Sequence, residues 1–524
     1  MPESAAFDAL AREFFAVWFR FHPEAALAVG LGDYGDLLPP QSDDEHAALA
    51  SWLETLIVAL EELDHGALDP ARRLDAELMF GLARVEHREL LERDWRRRDP
   101  LRFLPLTTIH RLTLLAPAAL REDLLALLQA VPAHLRLALT QLMPMAELIP
   151  PPLVAAALHA AEAGPVYLRE LTRSRWLRAH CHGTGELETV AEAAATALAQ
   201  YAAALRSDLA PRAAGACGAG AEQLGFLLRH RHRLDLAPAD CAGLLERLAD
   251  AAAGAAPPAE TPPPDGVGVE CTRQQALLQA RGLFTLPAAV LGVAGGPACP
   301  RPGAASALGQ AAPDELAGLD YVPDLTRGRG TLYVADGSGD CRLAPAAQRL
   351  RCLRLGWGGL HTLTFGGGMA ARSLPRLLAG GGSLVGGWPL ALEELLAEAP
   401  AGLDAGVVGQ ARQAAIALAR LDLDLHLGRV PLDQARVRAA ALGEPDCVLA
   451  ALIRRPGDAL AAVLGWRLIR AARARVAAAP GAQDLRGFHD ALLSRGPVPA
   501  TAALAAVLGA DAVRELTAAL CAAD

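Results

Sequence analysis

Asp422 and His426 stand four residues apart in the stretch RLDLDLHLG, residues 420–428. On a helix that spacing stacks the two side chains on one face. The carboxylate could then orient the imidazole for proton transfer, or the two could form an ordinary ion pair at helix spacing. A second histidine, His361, is alone in the glycine-rich run LRLGWGGLHTLTFGGG, residues 353–368. Such a run could be a phosphate loop, a worn metal site or a packing seam. The dinucleotide pattern GxGxxG begins with Gly356 and Gly358, but its last glycine is replaced by His361. A GxxxxGK[ST] loop needs a lysine, and the chain has none. The nucleophile elbow GxSxG fails because Asp336 stands where its first glycine is needed, ahead of Gly337, Ser338 and Gly339. The run DGSGD, residues 336–340, is half a calcium loop, but Ala347 holds the position of the closing glutamate, so a turn is expected. His180, Cys181 and His182 are metal-ligand types, yet neighbours on a helix or strand point apart. His230 and His232, within RHRHR, are flanked by arginines that suit a solvated surface or a charged cleft.

The elements that must position these residues read as mainly α-helical. From residue 7 to about residue 250 the apolar positions keep the helical period, as in Leu53, Leu56, Ile57 and Leu60, with proline and glycine as punctuation. Residues 252–268, AAGAAPPAETPPPDGVG, form a Pro/Ala/Gly-rich loop or linker between an N-terminal helical region, 1–251, and a C-terminal region, 269–524. The two regions are expected to make one continuous unit. An irregular stretch is expected over 292–312, a short strand at TLYVA, 331–335, and helices from 390 to the end.

Composition narrows the function. Of 524 residues 52% are hydrophobic and the net charge is −10, so there is no basic field for nucleic acid or an anionic membrane. All 49 basic residues are arginine, and asparagine is absent too; both missing residues have A-rich codons, so a GC-biased genome explains the loss. Glu3, Asp8, Arg12 and Glu13 interrupt the start of the chain where a signal peptide needs an unbroken apolar core. The uncharged run 282–300 is broken by Pro287, Gly292, Gly295, Gly296 and Pro297, so no membrane span is expected. Nine dispersed cysteines without a CxxC pair suit reduced thiols, and a cytoplasmic location is expected.

Several segments, in order, resemble a bacterial family known as domain of unknown function 885, whose members look like zinc metallopeptidases of the gluzincin type. They include FRFHPEAALAVGLGDYGDLLPP near the start, then LPLTTIH (104–110), prolines 150–152 and RHRHRLDLAP (229–238). YVPDLTRGRGTLYV (321–334), DLDLHLGRVPLDQA (422–435), RPGDALAAVLG (455–465) and DLRGFHDALL (484–493) follow. The resemblance spans nearly the whole chain. It implies a large helical, metallopeptidase-like scaffold around a channel, with a small β element near the site.

The family's metal motif reads His-Glu-x-x-Pro-Gly-His-His-Leu-Gln. Aligned on its Gly-x-His step, Arg354 takes the place of the first histidine, Leu355 of the glutamate and Gly358 of the proline, and only His361 survives of the histidine pair. The family's Glu-Gly-Trp-Ala-Leu-Tyr has become GGWPLA, with Gly386 for the glutamate and Trp388 retained. Its Pro-Gly-Gln-Ala-x-x-Tyr-Lys has become PGDALAAV, residues 456–463, which places Asp458 at the glutamine position. A catalytic zinc takes three protein ligands, an open water position and a carboxylate to accept that water's proton. One histidine beside an arginine and a leucine supplies none of this.

The expectation is therefore a catalytically degenerate relative that works without zinc or another cofactor and binds a peptide-like ligand or a protein partner. Its cleft residues would be Tyr321, Arg329, Tyr333, Arg354, His361, Trp388, Asp422, His426 and Asp458. Two alternatives stay open. Chemistry could have moved to Asp422 and His426, with His361, Tyr321 or Tyr333 nearby, or a zinc site could be built from other residues such as His230, His232 and Glu393.

Overall fold

The computed structural model describes residues 2–252, 266–297, 319–335, 345–368, 372–379, 382–398, 402–478 and 484–522. It is mainly α. Helices start where the sequence places acceptors for their free N–H groups: Ser42 accepts from the Glu45 N–H, Asp69 from those of Ala71 and Arg72, and Asp404 from that of Val407. Pro70 follows Asp69 at the first helical position, where its missing N–H costs nothing.

Three apolar cores hold the helices together. One joins the helices Leu106–Leu115, Leu120–Leu142, Pro151–Arg173 and Thr184–Ala204. Its apolar set extends across the chain to Leu418, Leu421 and Leu425 and to the Pro445–Arg454 helix. A second gathers the Asp458–Ala477, Gly387–Ala397 and Ala405–His426 helices with Leu224, Leu228 and the Cys241–Ala252 helix. The third is the aromatic packing of Phe14, Phe15, Trp18 and Phe19 on the Asp43–Glu62 and Pro70–Glu92 helices, closed by Leu377. Each core thus draws residues from both sides of the 252–268 loop, most of which lies outside the described residues. Ion pairs cross it as well: Arg376 Nε lies 2.6 Å from Asp75 Oδ1, and Arg454 Nε 2.8 Å from Asp99 Oδ2.

The β element has three strands among the described residues: β1 (Val290–Gly296), β2 (Leu319–Asp324) and β3 (Arg329–Ala335), in the order β1-β3-β2. β3 contains the expected TLYVA strand; it pairs parallel to β1, with Val293 opposite Leu332, and antiparallel to β2, with Tyr321 opposite Leu332. β1 corrects the expectation of irregular chain from residue 292. Its VLGVAGG lacks the alternation that marks a half-buried strand, so pairing with β3, and not pattern, orders it. The DGSGD turn lies outside the described residues.

The glycine-rich run is a packing seam. The Pro345–Leu355 helix ends there, a turn follows, and the short Leu360–Phe365 helix begins. A Cβ on Gly359 would come within 1.9 Å of the Arg354 carbonyl oxygen, so only glycine lets the chain fold back this tightly.

Candidate functional site

His361 lies at this seam, fully buried, with both ring nitrogens engaged. Its Nδ1 is 3.0 Å from the Tyr321 hydroxyl and its Nε2 is 3.1 Å from the Ala289 carbonyl oxygen. A carbonyl can only accept, so Nε2 carries the proton and Nδ1 accepts from tyrosine. Trp357, Phe365 and Tyr321 surround the ring. Burial pushes the imidazole down to about 4, which keeps it neutral at physiological pH.

Arg354 makes a two-pronged ion pair with Glu393, Nε to Oε1 at 2.6 Å and a terminal nitrogen to Oε2 at 3.1 Å. The carboxylate is 1% exposed. Zinc, which the family resemblance implies, does not fit this arrangement. The Arg354 guanidinium, at the position the resemblance aligns with the first histidine, holds the Glu393 carboxylate, and both nitrogens of His361 are already bonded. His230, His232 and Glu393 do not assemble either. Glu393 is held by Arg354, and among the described residues no three histidines, cysteines or carboxylates converge on a metal-sized point. His180 and His182 are exposed while Cys181 is buried, as their adjacency requires.

Asp422 and His426 do share a face of the Ala405–His426 helix, at 3.3 Å. That face is buried. His426 Nδ1 accepts the Ala219 N–H at 3.0 Å, and Nε2 donates to the Leu452 carbonyl oxygen at 3.1 Å. The Asp422 oxygens accept the N–H groups of Gly457 and Leu460, 3.1 Å each, at the start of the Asp458–Ala477 helix. Trp388 is buried against Phe284 and His489, Tyr333 is ordered within β3, and Arg329 pairs with Asp324 at 3.4 Å on the exposed side of the sheet.

The structure therefore corrects the expectation of one cleft for these nine residues. Tyr321 and His361 share one packing contact and Asp422 and His426 another, but the nine do not line one cleft, and only Asp458 borders the large cavity. That cavity, about 360 Å³, lies between the N-terminal helices and the C-terminal segment 453–458. Its wall is made by Trp18 and His22, the Pro70–Glu92 helix, the turns of residues 93–103, the start of the Leu106–Leu115 helix, His230 and Arg231. RHRHR can come this close because Gly81 has no side chain; a Cβ there would meet the His230 carbonyl oxygen at 2.4 Å.

Sequence reasoning missed this site, and its available signal was RDWRRRDPLR, residues 93–102, with five arginines in ten residues. Two short 3-10 turns, Trp95–Arg97 and Pro100–Phe103, distribute these side chains, with Asp94 and Asp99 accepting the N–H groups of Arg96 and Leu101. Arg96 turns inward to the Gln41 carbonyl oxygen and Asp43, Arg97 pairs with Asp43, and Arg102 reaches His22 Nδ1 at 2.9 Å while lying over the Trp95 ring. Arg93 and Arg98 border the cavity.

Seven arginines (93, 98, 102, 111, 231, 454 and 455) and five carboxylates (Glu24, Glu86, Glu89, Asp99 and Asp458) line the chamber, a surplus of two positive charges. Glu86 sits 3.0 Å from His22 Nε2; burial opposes its ionisation, but His22 and Arg102 hold it down at about 2. Asp458 lies 3.1 Å from His232 Nε2 in a close but poorly angled contact, with Arg455 at 3.4 Å and Arg231 at 3.8 Å. Against the cost of burial, Arg455, His232 and Arg231 hold its carboxyl at about 2. Burial, and then the like charges of Arg84, Arg229 and Arg88, push His230 down to about 4.

No family model matches the chain, and no curated protein matches it significantly in sequence. Solved structures do. One, described as a putative lipoprotein of unknown function from Shewanella oneidensis, superposes with a TM-score of 0.65 at 15% identity, covering 96% of this chain and 99% of that one. Another, a putative lipoprotein from Colwellia psychrerythraea, gives 0.72 at 16% identity, covering 97% and 99%. At such identities the likeness establishes a shared fold. Among the described residues no helix is long and apolar enough to cross a membrane.

Proposed function

We propose that this chain is a non-catalytic binding protein, a degenerate relative of the domain of unknown function 885 family that works without zinc. Its ligand chamber is the arginine-lined cavity. One observation carries the reading: the residues at the zinc-motif positions are spent on packing, with Arg354 locked to Glu393 and His361 bonded through both nitrogens. The burial of Asp422 and His426, every polar atom of which is bonded, supports the same reading over one in which chemistry moved to that pair. Within the chamber, His22 also lacks a spare nitrogen, since Glu86 and Arg102 take both. The size of the cavity suits a small ligand of the peptide-like kind expected from the resemblance.

The test is elemental mass spectrometry on protein purified without chelator, before and after incubation with zinc salts, together with a peptide-library cleavage assay. Zinc near zero in both preparations and no cleavage is the expected result. About one zinc per chain, with cleavage, overturns the proposal.

A further inference from the structure

We propose, resting on the reading of this cavity as the ligand chamber, that its ligand carries an oxyanion, a carboxylate or phosphate group, which Arg93 and Arg98 hold against the wall. Four of the chamber's five carboxylates have a basic partner within ion-pair distance; Glu89 is the exception among the described residues, accepting from Gln223 Nε2 at 3.3 Å. Asp99 is paired with Arg454, Glu86 with His22, and Asp458 with His232 and Arg455. Arg93 and Arg98 differ. Among the described residues neither has a carboxylate within ion-pair distance; the Arg93 guanidinium reaches only the Ala219 carbonyl oxygen, at 3.5 Å, and the Arg98 guanidinium has no hydrogen-bond partner. Both are half-buried.

Placing two like charges side by side in a partly desolvated wall is unfavourable for the empty protein. Burial, followed by the charge of Arg93, accordingly lowers the Arg98 guanidinium from its ordinary value, with Glu89 opposing the shift without reversing it. An oxyanion between the two would reverse that cost, because a guanidinium fork matches the planar or tetrahedral oxygens of carboxylate or phosphate. Beside them Trp95, Leu90 and Leu38 offer apolar surface for the ligand's body. The ligand class is therefore a small amphiphilic anion, and the two arginines are specificity residues.

The experiment is isothermal titration of the full chain with four probes: N-acetylleucine, its uncharged amide, phenyl phosphate and inorganic phosphate. N-acetylleucine or phenyl phosphate is expected to bind, more weakly as salt is added. The preferred one identifies the source as carboxylate or phosphate. The amide should bind about tenfold more weakly or worse, and Arg93→Gln/Arg98→Gln should reduce binding of the anion by a similar factor. The same double variant should melt no lower than the parent, which a merely structural role for these arginines would not allow. Arg98→Lys should restore part of the binding. Equal binding of acid and amide, unchanged affinity in the double variant, or no anion binding at millimolar concentration overturns the inference.

A zinc determination on the same preparation separates the two claims. Zinc-free, non-cleaving protein that ignores anions sinks this inference alone. Zinc with cleavage sinks the non-catalytic reading and leaves the arginine result standing. Binding that survives Thr107→Trp, which fills the chamber without removing charge, overturns the assignment of the chamber itself.

Discussion

The Asp422 carboxylate and the His426 imidazole lie 3.3 Å apart on one helix, and neither is exposed to solvent. Together they tie the end of the Ala405–His426 helix to three other segments. His426 binds the backbone at Ala219 and Leu452, and Asp422 binds the first N–H groups of the Asp458–Ala477 helix. The carboxylate does the work of an N-cap from a neighbouring helix, where its charge also complements the positive end of the helix dipole.

Asp422→Ala should therefore be destabilising. It orphans two buried N–H groups and removes a charged acceptor, at a cost of about 3 kcal/mol. Denaturant unfolding measures this directly, and an unchanged midpoint would remove the structural role assigned to Asp422.

Arg354→Met should cost a similar amount, about 3 kcal/mol, because it strands the Glu393 carboxylate at 1% exposure without its partner. Adding Glu393→Leu should recover much of that loss, since a buried apolar pair needs no counter-charge. A double variant no more stable than Arg354→Met alone would contradict this account.

Acid should weaken the fold from just below neutrality, through a histidine. His361 is held to about 4 by burial, whereas the unfolded chain's histidine protonates near 6.5. Between those values the unfolded state binds the extra proton, so stability is complete above about pH 6.5 and falls towards pH 4, by at most about 1.4 kcal/mol per pH unit for this residue. Below that, Glu86 and Asp458, both held at about 2, extend the loss as they protonate. Unfolding midpoints at pH 7 and pH 5 test the histidine window, and His361→Gln should make it shallower, leaving the part that His134 and His230, also held at about 4, contribute. An equal slope in the variant would count against His361 as the group responsible.

The thiols supply a fourth prediction. Cys241 and Cys521, 280 residues apart in the chain, have sulfur atoms 4.0 Å from each other. A mild thiol oxidant should join this pair ahead of reacting at Cys447, which has no thiol beside it among the described residues. Non-reducing peptide mapping reads the outcome, and preferential loss of the Cys447 thiol would refute it. Alkylation at the moment of cell lysis should find all nine cysteines reduced if the chain works in the cytoplasm. A Cys241–Cys521 disulfide at that point would instead indicate an oxidising compartment.

Helical class, the strand at 331–335 and the shared face of Asp422 and His426 were legible because each is a local matter. Period 3.6, β-branched and aromatic content, and i, i+4 spacing are properties of a few consecutive residues. Sequence alone also excludes Arg354 and Leu355 as a zinc ligand and a general base, since neither side chain can do that chemistry wherever it lies. It did not determine which way the Asp422 face points, that β1 is a strand, or that the glycines at 356–359 serve close packing. Each of these depends on what the rest of the chain brings against it.

The chamber depended on tertiary structure most of all. Arg93, Arg98, Arg231, Arg454 and Asp458 come from segments far apart in the chain, and charge carries no periodicity that would announce their convergence. Arg96 and Arg98 look alike in RDWRRRDPLR, yet one is spent on Asp43, Asp94 and the Gln41 carbonyl oxygen while the other faces a cavity. The difference is made by a 3-10 turn and by the helices packed around it, because a guanidinium becomes a binding group only where folding desolvates it and leaves it without a carboxylate.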